Sequence, residues 1–159
     1  MYKNKQTWVV VLVAALLLGG LATMVKSHCQ IPCGIYNDEA RFGAIAENLT
    51  TIEKSMKLIN ELSGEEKPNY NQIVRWVDNK ELHADDTAEI VTYYFMAQRL
   101  KPVDATDAKA YAAYVKELTL LHQLLCNSMK AKQTTDVATV EQLRGLLDEY
   151  HKVYVENRK

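Results

Sequence analysis

The sequence contains few of the residues that build turn-rich or disulfide-rich proteins. Its 159 residues include three cysteines, three prolines and six glycines. Three cysteines are too few for a disulfide scaffold, and so little glycine and proline argues against many short strands joined by turns. The formal net charge is −1, so the chain has no excess of positive charge to bind nucleic acid. These absences favour a single globular domain built from long helices.

The first 27 residues, called the leader here, contain no acidic residue. Lysines near the start precede an uncharged apolar stretch, Trp8–Ala22, and small residues, Val25 and Ser27, stand before His28. This order is typical of a secretory signal peptide. It predicts cleavage before His28 by a signal peptidase and a periplasmic or extracellular mature chain. Because the apolar stretch is also nearly long enough to span a bilayer, an uncleaved membrane anchor stays open.

From Asp38 onward, apolar residues recur every three or four positions, which is typical of amphipathic helices. The pattern predicts a first helix that ends at Gly64, a second from about Asn69 to Leu100, a third capped by Asp104, and a fourth from about Asp136. No segment shows the alternation expected of strands. Residues 37–159 are therefore expected to form an all-α, antiparallel four-helix bundle.

The same periodicity predicts which side of each helix faces the core. In the second helix the predicted inward residues are Val74, Val77, Ala84, Ala88, Val91 and Phe95, and in the third they are Ala108, Tyr111, Val115, Leu118, Leu121, Leu125 and Met129. Cys126 lies close to that side and is expected to be a small buried residue. The predicted inward residues of the first and fourth helices are Phe42, Ile45, Leu49, Ile52, Met56 and Ile59, and Val140, Leu143, Leu147, Tyr150 and Tyr154.

Residues 28–36, called the hook here, read HCQIPCGIY and separate the leader from the first helix. Once His28 is the first residue, one metal ion can bind its α-amine and imidazole, the amide nitrogen and thiolate of Cys29, and the thiolate of Cys33. The amine, the amide and the two thiolates make a planar set of two nitrogens and two sulfurs, to which the imidazole can be added as an optional axial donor. Such a set suits nickel or copper(II), whereas zinc prefers a tetrahedral set. Anionic donors also stabilise a higher oxidation state, so the hook predicts a redox-capable metal site.

The pattern His-Cys-x-x-Pro-Cys-Gly-x-Tyr at a processed N-terminus, ahead of four helices, resembles the nickel-containing superoxide dismutases. The resemblance implies that His28, Cys29 and Cys33 hold a nickel ion that alternates between Ni(II) and Ni(III). It implies that the substrate is superoxide, which is converted to oxygen and hydrogen peroxide. It further implies that Tyr36 stands over the open axial face of the metal and that the chain forms a homohexamer.

Weaker similarity to the same family continues into the second helix. The segment from Lys80 to Asp85 is similar to a Lys-Glu-x-x-Ala-Glu sequence, which implies that His83 steadies the axial histidine. Tyr94-Phe95 is similar to the start of a Tyr-Phe-Lys-Pro sequence, although five residues separate Phe95 from Lys101-Pro102 here. This similarity implies that Tyr94 is one of the side chains that surround the metal ligands. Gln30 departs from a common Asp, and Asn37-Asp38 replaces Asp-Pro.

Two other functions fit the same residues. The first is an exported or anchored helical bundle in which Cys29 and Cys33 form a disulfide, as an oxidising compartment favours. The second is a metal-binding or trafficking module that uses the hook without turnover. Tyr36 is equally consistent with an aromatic residue that packs at the helix entrance, and His83 with a surface histidine.

Overall fold

The computed structural model describes residues 38–158, which form helices and, within that range, no strands. The second helix continues without a break into a π-helix, so the chain makes four helical rods. None of the helices in this range is long and apolar enough to cross a bilayer. The elements are α1 (Asp38–Ser63), α2 (Tyr70–Glu89) with its π-helix (Ile90–Arg99), α3 (Ala108–Gln133) and α4 (Ala138–Glu156).

Side-chain contacts show that neighbouring helices run antiparallel. Asp38, at the start of α1, contacts Tyr94 in the π-helix and Tyr154 near the end of α4. At the opposite end of the bundle, Asn60 Nδ2 donates to the carbonyl oxygen of Thr135, at 3.1 Å, just before α4 begins. Each helix packs on the next, and α4 packs back on α1. The all-α, antiparallel four-helix bundle expected from the sequence is confirmed over the described residues.

The predicted boundaries and inward face of α1 are confirmed. All six of its predicted core residues are buried. The helix ends where Gly64 was expected to stop it, and the Gly64 N–H donates to the carbonyls of Asn60 and Glu61 at 3.2 and 3.1 Å. Asn69 then caps α2, since its side chain accepts the Gln72 N–H at 3.3 Å.

The predicted inward face of α3 is partly correct. Leu121 is buried, and Leu118 and Leu125 are half-buried and pack against the core. Ala108, Tyr111, Val115 and Met129 are exposed, so the prediction is wrong for these four residues. The helix carries apolar side chains on two adjoining faces, and the face that packs inward includes the polar residues Glu117 and Ser128. The apolar period alone therefore places the centre of the inward face too far to one side. The buried residues of α3 are Glu117, Leu120, Leu121, Leu124, Ser128 and Ala131.

Three further predictions are wrong for local reasons. Val74 is 57% exposed because the first turns of α2 bury little. Cys126 is exposed, since it lies on the outer side of α3. Asp107 caps α3 by accepting the Ala110 N–H at 3.0 Å, whereas Asp104 accepts the Thr106 N–H at 2.8 Å and stabilises the preceding turn.

Lys80 connects α2 to the C-terminal end of α3. Its ammonium group is buried and donates to the carbonyl oxygens of Ala131 at 2.8 Å and Thr134 at 3.2 Å, and to that of Lys132. These carbonyls lack partners within the helix, so a cation stabilises them. Burial lowers the pKa of Lys80, and the charge of Lys132 acts in the same direction.

The π-helix Ile90–Arg99 was not predicted. Its closing bond runs from the Leu100 N–H to the Phe95 carbonyl at 2.8 Å, five residues back. π-Helical turns are rare, usually single, and frequent near functional sites. Here ten residues adopt this form, and they carry Tyr94 and Arg99 to the end of the bundle where α1 begins.

Candidate functional site

The predicted metal ligands His28, Cys29 and Cys33, and Tyr36, lie outside the described residues. The first described residue, Asp38, follows Tyr36 by two positions in the chain, with only Asn37 between them. Asp38 is therefore the described residue closest in sequence to the hook, and it begins the part of the bundle to which the hook is covalently joined.

Asp38 is the centre of a polar group that joins three helices, called the Asp38 cluster here and made of Asp38, Tyr94, Arg99 and Tyr154. The Tyr94 hydroxyl donates to Asp38 Oδ1, and the Tyr154 hydroxyl donates to Asp38 Oδ2 at 2.6 Å. Arg99 Nη2 lies 2.7 Å from Asp38 Oδ1 and 2.8 Å from the Tyr94 hydroxyl oxygen. Both carboxylate oxygens of Asp38 are thus held by side chains from other helices.

The Asp38 cluster favours an ionised carboxylate beside neutral phenols. Burial alone would raise the pKa of Asp38, but hydrogen bonds from Tyr154 and Tyr94 and the charge of Arg99 outweigh it, and the pKa lies below its ordinary value. Burial raises the pKa of Tyr94 and of Tyr154, and the neighbouring carboxylate raises both further. The cluster therefore has one negative and one positive charge at neutral pH.

Aromatic rings pack against the side chains of the Asp38 cluster. Phe95 packs against Tyr94 with ring centroids 5.2 Å apart, and Phe42 packs against Tyr154 at 5.3 Å. The guanidinium carbon of Arg99 lies 4.9 Å from the Tyr94 ring centroid, which is within range of a cation–π contact. These contacts restrict the rotamers of the side chains that hold Asp38.

A further polar contact joins the first turn of α1 to α4 beside the Asp38 cluster. His151 Nε2 on α4 lies 2.8 Å from Glu39 Oε1, and the His151 ring packs against Phe42 with centroids 4.3 Å apart and the ring planes tilted by 45°. The first turn of α1 is therefore tied to α4 through Glu39 as well as through Asp38. Sequence reasoning assigned no role to His151.

His83 lies at a different level of the bundle from Tyr94. It is half-buried, and its Nδ1 lies 2.7 Å from Asn48 Oδ1 on α1. Asn48 is ten residues beyond Asp38, which corresponds to about 15 Å along the helix. The structure therefore places His83 and Tyr94 on the same α1–α2 interface without bringing them into one group.

The sequence missed Asp38, Arg99 and Tyr154 as members of the candidate site. Asp38 was visible only as a departure from the family pattern, and Tyr154 only as a core residue. Their partners are 56 to 116 residues apart in the chain, so no local spacing connects them.

Within residues 38–158 no three His, Cys, Asp or Glu side chains are grouped so as to hold a metal ion. Pairs do occur there: His151 Nε2 lies 2.8 Å from Glu39 Oε1, and Cys126 Sγ lies 3.6 Å from His122 Nε2. The residue types of the hook fit nickel, because two thiolates with an amine and an amide nitrogen would make the soft, planar set that nickel accepts, and the imidazole could add a fifth donor.

Comparison with known proteins supplies the family. The model of the family described as nickel-containing superoxide dismutase matches residues 23–158, which include the hook and all four helices. Searches of curated proteins and of solved structures gave no match. The match covers most of the chain, so this protein belongs to the nickel-containing superoxide dismutase family and is an oxidoreductase that acts on superoxide with a nickel cofactor.

Proposed function

We propose that this chain disproportionates superoxide at a nickel centre formed by the hook, after cleavage of the leader before His28. The observation that carries the proposal is the extent of the family match, which includes residues 28–36 together with the bundle. Cleavage is required because the α-amine of His28 is one of the proposed donors.

We assign the nickel to the α-amine and imidazole of His28, the amide nitrogen and thiolate of Cys29, and the thiolate of Cys33. When bound there, nickel supplies one-electron chemistry between Ni(II) and Ni(III), so that two superoxide ions and two protons give oxygen and hydrogen peroxide. The protein supplies the donors, the access route and the protons. Two thiolates and an ionised amide are strong anionic donors, which supports cycling to the higher oxidation state.

Tyr36 is assigned to the approach to the metal site, where it would admit a small anion. Its sequence position supports this role, because the chain from Tyr36 enters α1 directly through Asn37 and Asp38. Asp38 is held on both carboxylate oxygens, so the start of α1 provides a firm attachment for this part of the hook. Tyr94 would act from the bundle side, through its hydrogen bond to Asp38.

His83 is assigned to steadying the axial imidazole of His28. Support comes from its half-buried position and from the 2.7 Å contact between its Nδ1 and Asn48 Oδ1, which fixes the orientation of the ring. Because Nδ1 is engaged by Asn48, contact with the hook would use Nε2.

We also propose that the mature protein is exported to the periplasm or extracellular space and assembles as a homohexamer. The leader supports export, and a retained leader would instead anchor the protein to a membrane. Several large apolar side chains are exposed in the described residues, which is the type of surface that subunit association covers. They are Tyr70, Val74, Leu82, Tyr93, Tyr111, Val115, Met129 and Val155.

The proposal is tested by N-terminal sequencing of the purified protein, with nickel content and dismutase activity measured on the same sample. We expect His28 as the first residue, about one nickel per chain, and loss of both metal and activity in Cys29→Ser, which removes a thiolate donor. His28→Ala keeps the α-amine and removes only the imidazole, so we expect it to lose activity. His122→Ala is the matched control, since His122 is an exposed histidine on α3.

Three results would separate the other functions. Active, nickel-loaded protein that still carries residues 1–27 would refute the N-terminal centre. Absence of nickel together with a Cys29–Cys33 disulfide would identify a non-catalytic bundle. Nickel bound through His28 without dismutase activity would identify a metal-binding or trafficking module.

A further inference from the structure

We propose that Arg99 and Asp38 are positioning residues for the nickel centre, because their ion pair fixes the turn of α1 from which the hook departs. The inference rests on the proposed function of the hook and adds two residues of the bundle to it. Neither residue is proposed to bind the metal or the substrate.

Three side chains from other helices contact Asp38, which is more than its place at the start of a helix requires. An acidic residue in the first turn of a helix is favourable by itself, because it interacts with the free N–H groups and the helix dipole. That effect needs no partner from elsewhere in the fold. Asp38 nevertheless receives the hydroxyls of Tyr94 and Tyr154 and the guanidinium of Arg99. Contacts from two other helices restrict where this residue can move, which is more than capping requires.

The ion pair between Arg99 and Asp38 is partly buried, and it joins the ends of two helices. The side chains of Arg99 and Asp38 are 23% and 30% exposed, so solvent screens the 2.7 Å contact only in part. Arg99 is also the last residue of the π-helix, immediately before the chain turns at Leu100. The pair thus joins the end of one helix to the beginning of another, two residues after Tyr36.

Arg144 and Glu53 provide a matched control. This pair also joins an arginine on another helix to a carboxylate on α1, at 3.2 Å and with side chains 37% and 32% exposed. Glu53 is fifteen residues beyond Asp38, or about 22 Å along α1. A general loss of helix association would affect both pairs, whereas an effect on the hook should be confined to Arg99 and Asp38.

The experiment measures nickel affinity by chelator competition, and the electron paramagnetic resonance spectrum of the oxidised centre, in the full mature protein. We expect Arg99→Gln and Asp38→Asn each to weaken nickel binding about tenfold, the lower end of the effect of outer-shell substitutions, and to broaden or shift the spectrum. The double variant should be no weaker than either single variant, because the two residues act as one unit. Arg99→Lys should restore part of the affinity, and Arg144→Gln should match the wild type.

Wild-type affinity and spectrum in Arg99→Gln would overturn the inference while leaving the proposed function intact. Equal losses in Arg99→Gln and Arg144→Gln would also overturn it, since they would indicate general destabilisation. If Arg99→Gln does not fold, the same measurement on Arg99→Lys decides, with wild-type behaviour counting against the inference. If the wild type itself shows no nickel signal that depends on His28, the proposed function fails and the positioning role fails with it.

Discussion

Tyr150 and Tyr154 lie one turn apart on α4, yet removing their hydroxyl groups should have opposite effects on stability. The Tyr154 hydroxyl donates to Asp38 Oδ2 at 2.6 Å. The Tyr150 hydroxyl is fully buried and has no hydrogen-bond partner within residues 38–158. Both rings pack in the same aromatic group and would keep that packing as phenylalanine. The pair Tyr154→Phe and Tyr150→Phe therefore isolates the hydroxyl groups.

The expected magnitudes follow from these surroundings. A hydrogen bond to a charged group contributes about 1.5–3 kcal/mol. The Asp38 side chain is 30% exposed, so water replaces part of the lost bond, and we expect Tyr154→Phe to cost about 1–1.5 kcal/mol. For a domain of this size that lowers Tm by about 3–6 °C. Tyr150→Phe removes an unpaired buried hydroxyl, so stability should stay unchanged or rise by up to about 1 kcal/mol.

The assay is urea and thermal unfolding of the metal-free mature protein, followed by far-ultraviolet circular dichroism. The pKa of Asp38 is lowered in the folded state, so its contribution is present above the ordinary value of 3.8 and is lost as the pH falls below that value. The difference between the wild type and Tyr154→Phe should therefore shrink below pH 3.8. A loss in Tyr150→Phe equal to or larger than that in Tyr154→Phe would refute this assignment of hydrogen bonds.

Two further predictions concern other buried polar groups. Lys80→Met should lower the free energy of unfolding by about 2–3 kcal/mol, because carbonyls at the end of α3 lose a buried charged donor. Lys132→Met, which removes a more exposed pair with Asp85, should lower it by less than about 1 kcal/mol. Equal urea midpoints for the two variants would contradict the capping role of Lys80. Burial raises the pKa of Tyr94, Tyr150 and Tyr154 above the ordinary value of 10.0. Unfolding experiments from pH 9 to 11 should therefore show the free energy of unfolding falling above pH 10, with a smaller fall in Tyr150→Phe. The same dependence of stability on pH in that variant and in the wild type would argue against a buried neutral phenol at Tyr150.

The parts of the fold that the sequence predicted well are those where one signal acted alone. In α1 the apolar residues form a single stripe, and Gly64 ends the helix without a competing stop, so both the core face and the boundary were correct. In α4 the predicted residues Val140, Leu143 and Tyr150 are likewise buried. A regular stripe of this type directly reflects which side of the helix loses contact with water.

The errors arose where two signals competed. The start of α3 has two aspartates within four residues, and only the geometry shows that Asp107 is the cap and Asp104 stabilises the turn before it. The core side of α3 includes Glu117, which is acceptable there because Arg158 and Asn157 bind its carboxylate. A buried charge with partners about forty residues away leaves no trace in the local period.

The hook has its proposed donors within nine consecutive residues, so the sequence alone gives a prediction of the ligands. That assignment stays a prediction, because these residues lie outside the described range. The Asp38 cluster depends instead on contacts between three helices, which no local pattern of residues records. It also depends on a π-helix whose buried residues, Val91, Tyr94 and Phe95, have a spacing that an α-helix would show as well, so the sequence does not distinguish the two. Nothing in the order of residues indicates that Arg99 reaches Asp38.

The antiparallel arrangement also determines where the protein can be modified for purification. The start of α1 and the last turn of α4 share one end of the bundle, where Arg158 donates to the carbonyl of Arg99 at 3.2 Å. An affinity tag after α4 would therefore emerge beside the Asp38 cluster, and a tag before His28 would block the proposed amine donor. The links at residues 64–69 and 134–137 lie at the other end, where Asn60 contacts Thr135. An internal tag inserted in one of those links would lie at the opposite end of the bundle from the Asp38 cluster.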